Sequence, residues 1–198
     1  MFEANRLHKR FGQHVVLEDV SLRVAGGKLS DIRGPTGRGQ TTCFNLLHCR
    51  HAPDRGKVTF EGRDITGLPP RAIARLGISR SFQVMNLFDD YSALDNVRVA
   101  MPATRARGFS MLGAFGGESD VLARVGLSGK ENVKAKSLSY GDRRALEIGV
   151  ALAAQPRLLF LDEPTAGLGT EATARIAGLI AELKRTITIV MIEHDMKF

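Results

Sequence analysis

Two stretches of this sequence carry residue types at a spacing suited to chemistry on phosphate. Gly34-Pro35-Thr36-Gly37-Arg38-Gly39-Gln40-Thr41-Thr42 fits the pattern G-x-x-x-x-G-K-[ST] at every position but the lysine, which here is Gln40. Glycines at this density let successive backbone N–H groups point into one concavity. A helix starting near Gln40 would aim its positive dipole end at the same place, so phosphate can bind without a cation. Thr41 offers a hydroxyl to Mg2+. The second stretch, Arg157-Leu158-Leu159-Phe160-Leu161-Asp162-Glu163, is an apolar run that ends in two adjacent carboxylates. Asp162 there can hold Mg2+ through water, and Glu163 can polarise an attacking water, which is what phosphoryl transfer requires. Read instead as an N-cap pair for a following helix, the two carboxylates would leave Pro164 and Gly167-Leu168 without a reason.

These groups need rigid elements to bring them together. Val16 to Val24 alternates around Val20, Leu22 and Val24 and reads as a half-buried strand, closed by the Gly26-Gly27 turn. Leu29 to Arg33 extends into the glycine loop, and Thr41 to Leu47 reads as a helix with Phe44 and Leu47 inward. Leu158 to Leu161 and Ile187 to Ile192 are continuous apolar runs of the kind buried on both faces of a parallel sheet. Between them, Glu171 to Arg185 places Ile176, Leu179, Ile180 and Leu183 at helical spacing, which completes a βαβ unit. Ala100 to Ser119, rich in Gly, Ala and Arg, shows no period and reads as a loop-prone insertion. The whole chain, 1–198, reads as one α/β domain with a smaller helical insertion at about 84–137.

Composition narrows the classes. At 198 residues and 43% hydrophobic content the chain can bury one real core. The net charge of +7 is spread over Lys and Arg from Arg6 to Lys197 without forming a run, which argues against a nucleic-acid partner. Met1 to Arg10 has no signal-peptide core, and no stretch approaches the roughly 18 apolar residues of a membrane span. Any membrane association therefore passes through a partner. Cys43 and Cys49, with His48 and His51 between and beside them, match no zinc spacing and read as buried or idle thiols.

A third motif, Leu138-Ser139-Tyr140-Gly141-Asp142-Arg143-Arg144, resembles the L-S-x-G-x signature of ABC ATPases, and its Y-G-D-x-R form resembles the branched-chain amino-acid importer branch. Physically, Ser139 and the first N–H groups of a helix from Gly141 make an anion site. In the family, Leu138, Ser139, Tyr140, Gly141 and Asp142 cap the γ-phosphate held by the opposite subunit. The resemblance also assigns Phe11 to adenine stacking, Gln83 to Mg2+ and water, and His194 to the γ-phosphate. Gly62 to Pro69, Asn86 to Phe88, Asp95 to Val97 and Glu193 to Met196 resemble the same importer class.

The resemblance implies a P-loop NTPase ABC ATPase core with a small helical subdomain, an N-terminal antiparallel β portion and a truncated C-terminus. It further implies ATP and Mg2+ as ligands and a homodimer or a heterodimer with a homologous ATPase subunit. Membrane-spanning permeases would then hold the chain on the cytoplasmic face of the bacterial inner membrane.

Three departures from the family pattern bear on activity. Gln40 replaces the lysine that brings a full charge to the β- and γ-phosphates, so impaired hydrolysis is one reading. Arg38 stands where the family's residue is small, and would either reach the phosphates or obstruct the loop. Ser30, Asp31 and Arg33 occupy a strand that is apolar in the family, so Asp31 needs a partner such as Arg33 or an exposed strand. A subunit with a dead site beside a working partner, and a non-transport ABC ATPase acting on DNA or ribosomes, are the alternatives.

Overall fold

The structure, a computed structural model, describes residues 1–32, 39–81, 86–101 and 117–192, and within these it leaves out the side chains of 31, 32 and 40. Four strands form an antiparallel sheet in the order β2-β1-β4-β5: β1 (Phe2–Phe11), β2 (His14–Val24), β4 (Arg55–Phe60) and β5 (Arg63–Asp64). A second, parallel sheet runs in the order β3-β8-β7-β6, with β3 (Leu29–Ile32), β6 (Ile78–Arg80), β7 (Leu158–Asp162) and β8 (Thr188–Ile192). Six α-helices are described: α1 (Gln40–Leu47), α2 (Pro70–Arg75), α3 (Ala93–Ala100), α4 (Glu118–Arg124), α5 (Tyr140–Ala153) and α6 (Thr170–Leu183).

The parallel sheet divides two cores. Leu158, Phe160, Val190 and Ile192 face α1, where Phe44, Leu46 and Leu47 fill the space up to Phe2, Leu7 and Val58 of the antiparallel sheet. Leu159, Leu161, Ile189 and Met191 face the other way, onto α5, α6 and the helices α3 and α4. Burial on both faces explains why β7 and β8 are continuous apolar runs instead of alternating ones. Phe160 meets Phe44 and Phe2 edge to face at 5.3 and 5.6 Å. Truncating such a ring to alanine costs about 3–5 kcal/mol.

Most boundaries fall where sequence period placed them, within two residues. The first strand was not visible in the sequence, because its buried Phe2, Ala4 and Leu7 break alternation. Arg6 has φ of 47° there, and the register to β2 shifts between Ala4 and Leu7, so the strand bulges. β3 is an outer strand of the described sheet, with Leu29 and Ser30 only partly buried, and that position tolerates the polar Ser30. The side chain of Asp31 and all of Arg33 lie outside the described residues. Between 84 and 137 the described elements are α3, α4 and one 3-10 turn at Ala135–Ser137. Cys43 and Cys49 are buried, and burial raises both thiols to about 11.

Candidate functional site

Register brings the expected chemistry to one edge. Asp162, Ile192 and Ile32 stand level across β7, β8 and β3, and all three strands are parallel. The chain therefore leaves β3 into Gly34–Arg38, β7 into Glu163, and β8 into Glu193-His194 from the same C-terminal edge, the place where open α/β sheets bind ligands. β6 ends two residues lower, with Arg80 opposite Phe160, and Gln83 follows it in the sequence. Gly34, Pro35, Thr36, Gly37, Arg38, Gln83 and His194 themselves lie outside the described residues.

The far end of the glycine loop is described. Gly39 caps α1 with φ of 90°, and a Cβ there would stand 2.8 Å from the Val16 carbonyl oxygen. Both the backbone conformation and the close approach to β2 require glycine. Cys43 N donates to Gly39 O at 2.7 Å, so the first turn of α1 is closed. Thr41 is exposed and Thr42 is half-buried at the helix start, where the N-terminal dipole favours an anion.

Asp162 shares the α1 face of the sheet with Leu158 and Phe160, by the two-residue period of a strand. Its side chain is 4% exposed, and Oδ2 accepts from Arg80 Nη2 at 2.7 Å. Arg80 is held in turn: Nη1 donates to Asn45 Oδ1 at 3.0 Å and contacts His48 Nε2, Nε donates to Ser81 O at 3.3 Å, and the guanidinium lies 5.0 Å from the Phe44 ring centre. Burial and then the Arg80 charge push His48 down to about 3, so its ring is neutral and Nε2 can accept.

Glu163 follows in the left-handed region, with φ of 46°, an unfavourable conformation for a non-glycine residue. Its backbone is gripped from two sides. Glu163 N donates to Ile192 O at 3.0 Å, and Arg144 Nη2 donates to Glu163 O at 2.8 Å. Arg144 Nε also donates to Pro164 O at 3.3 Å, while Nη1 meets Glu147 Oε2 at 2.7 Å; both side chains of this pair are buried. Arg144 belongs to the signature helix α5, so the signature and the carboxylate edge are mechanically joined.

The signature starts α5 as a capped helix, one residue earlier than the sequence suggested. Ser139 is the N-cap and its Oγ accepts from Asp142 N at 3.2 Å. Leu138 is buried, Tyr140 is exposed, and the Tyr140 hydroxyl donates to Ala166 O at 3.5 Å. At Gly141 a Cβ would come within 3.0 Å of the Ala172 Cβ. Asp142 accepts from Lys130 Nζ at 2.6 Å and Arg175 Nη1 at 2.9 Å. Burial raises its pKa, but hydrogen bonds from Lys130, Ser139 and Arg175 together outweigh that and hold it below the usual value. Arg143 Nη2 reaches Asp89 Oδ1 at 2.6 Å. Within one chain the signature thus packs on the segment after Glu163 and on α6.

Phe11 is exposed at the end of β1, with Lys9 Nζ 5.6 Å over its ring and His51 edge-on at 6.3 Å. An open aromatic face flanked by a cation suits a planar heterocycle. Sequence reasoning missed Arg80, Arg144, Glu147 and Arg175. The one available signal was that Arg144 and Glu147 fall three apart on a helix that is otherwise apolar there.

Comparison with known proteins agrees with this geometry. The family model described as ABC transporter matches residues 17–166. The chain is 37% identical over 211 residues to the high-affinity branched-chain amino acid transport ATP-binding protein LivG of Salmonella typhimurium, covering all of this chain and 83% of that one. Among solved structures it is similar to the ADP conformation of MJ1267, an ATP-binding cassette of an ABC transporter, with TM-score 0.85, 29% identity, and 99% and 82% of the two chains covered. It is also similar to the dimeric post-hydrolysis state of the cassette MJ0796 bound to ADP and Pi, with TM-score 0.78, 27% identity, and 98% and 88% covered. An α/β core with Asp162 at the C-terminal edge of its parallel sheet, a capped signature helix and these relatives lead to one conclusion: the chain belongs to the ABC transporter ATP-binding family.

Proposed function

We propose that the chain is the ATP-binding subunit of an importer for branched-chain amino acids, coupling ATP binding and hydrolysis to uptake. The observation that carries this reading is the level edge at Ile32, Ile192 and Asp162, from which the glycine loop, Glu163 and the His194 segment all depart. The likeness to LivG supports the solute class. Residues 1–198 act as one cassette, with the insertion at about 84–137 as its helical part.

In this reading Gly34 to Thr42 cradle the triphosphate with backbone N–H groups, and Phe11 stacks on adenine. Thr41, Asp162 and Gln83 supply hydroxyl, carboxylate and amide oxygens, hard donors that suit Mg2+. Mg2+ bound there would neutralise charge on the β- and γ-phosphates. Glu163 accepts a hydrogen bond from the attacking water, and His194 steadies the γ-phosphate. Leu138 to Asp142 close over the nucleotide of a second cassette, which is why the signature of one chain need not face its own loop. Permease subunits hold the dimer at the cytoplasmic face of the membrane; among the described residues no helix is long and apolar enough to cross it.

Glu163→Gln tests this directly. ATP should drive that variant into a stable dimer by light scattering, while the unsubstituted chain cycles and stays largely monomeric; a variant that never dimerises at saturating ATP would refute the motor reading. Gln40 favours a second reading, in which this chain binds ATP but hydrolyses it slowly and a partner cassette does the work. Loss of one charged donor at the transition state typically costs about 10²- to 10³-fold in rate. Phosphate release at a normal rate would exclude that reading.

A further inference from the structure

The Asp162 carboxylate is already engaged by an internal cation. Arg80 reaches it at 2.7 Å, and the guanidinium fork is held at Asn45, His48 and the Ser81 carbonyl with its plane near the Phe44 ring. Asn45 and Phe44 belong to α1 and His48 is its C-cap, so the guanidinium is tied to the helix that follows the glycine loop. An arginine tied at this many points cannot swing aside without breaking several contacts, so its charge is a permanent part of the site.

Two consequences follow from Coulomb's law. A dication approaching Asp162 meets a nearby positive charge, which weakens its hold. A free triphosphate approaching the same edge meets a neutralised pair instead of a bare carboxylate, which lowers the repulsion it would otherwise feel. Both effects act on the same quantity, the ratio of nucleotide affinities with and without Mg2+, and both make it smaller. Gln40 brings no charge of its own, and Arg80 is the cation that meets the Asp162 carboxylate among the described residues.

We propose that Arg80 is a specificity-determining residue of the nucleotide site: a built-in counter-ion that competes with Mg2+ for Asp162 and lets the chain bind nucleotide with little dependence on the metal. The proposal rests on the reading of the glycine loop as a nucleotide site. A merely structural salt bridge would change stability, or both affinities together, and would leave the ratio where it was.

The experiment is a titration of the full chain with a fluorescent ATP analogue, once in excess Mg2+ and once in EDTA. The unsubstituted protein should show affinities within about tenfold of each other, and Arg80→Gln should widen the ratio by a further factor of about ten or more, the scale of one charge-assisted hydrogen bond. In an Asp162→Asn background the same Arg80→Gln change should widen the ratio much less. If circular dichroism shows that Arg80→Gln does not fold, Arg80→Met decides: it keeps the apolar stem and removes the charge, so its ratio must exceed that of the unsubstituted chain. An unchanged ratio in the folded variant, or the same widening in the Asp162→Asn background, overturns the role of Arg80 while leaving nucleotide binding intact. Absence of saturable binding in both conditions overturns the nucleotide site itself.

Discussion

Arg144 is the residue whose removal the structure prices most clearly. Its side chain is 2% exposed and that of Glu147 is 5% exposed, and the guanidinium serves Glu147, Glu163 O and Pro164 O at 2.7, 2.8 and 3.3 Å. Arg144→Met keeps the stem but takes the guanidinium away from the buried Glu147 carboxylate, a loss of about 3–5 kcal/mol. For a chain of this size that lowers Tm by roughly 6–20 °C. Arg144→Met with Glu147→Leu removes both buried charges together, so it should recover at least about half of the loss. Urea unfolding of the two variants and the parent measures this cycle. Function should separate from stability in the double variant. Glu163 sits at φ of 46° and loses the Arg144 bond to its carbonyl, so ATP affinity should hold while turnover falls. A cost below about 1 kcal/mol for Arg144→Met, or a double variant no more stable than the single one, would refute this reasoning.

Two further outcomes are expected. His48 titrates near 6.5 when unfolded and about 3 when folded, because burial and Arg80 disfavour its charged form, so only the unfolded chain takes up a proton between these values. Stability should therefore be complete above about pH 6.5 and fall by about 1 kcal/mol per unit on acidification towards pH 4, a slope that His48→Gln should flatten in urea melts recorded at each pH. Gly39→Ala forces a Cβ to 2.8 Å from Val16 O at φ of 90°, and should cost about 2 kcal/mol or more and weaken nucleotide binding; a variant as stable as the parent in thermal melts would show that β2 gives way.

Legibility of this protein in its sequence followed burial. Runs buried on both faces, such as Leu158 to Leu161, and the helical stripe Ile176, Leu179, Ile180 and Leu183 carry their period openly, and the structure puts all of them in the core. Gly39 before α1 and Ser139 before α5 were legible because backbone geometry at a helix start demands particular residues at particular spacings. β1 escaped notice because a bulge at Arg6 breaks its alternation. The Arg80–Asp162 pair joins residues 82 apart in sequence, and Arg144 reaches Glu163 over 19. Long-range pairs of this kind leave no local pattern, since they exist only once β6, β7 and α5 have packed.

The central claim is that backbone amides at the start of α1 hold a triphosphate although Gln40 brings no charge. An equilibrium ATP titration by calorimetry, comparing the chain with Gln40→Lys, tests it most directly. We expect saturable binding of one ATP per chain, tightened about tenfold by the restored ammonium. If neither protein binds ATP, or if Gln40→Lys leaves the affinity unchanged, the account of the loop is contradicted.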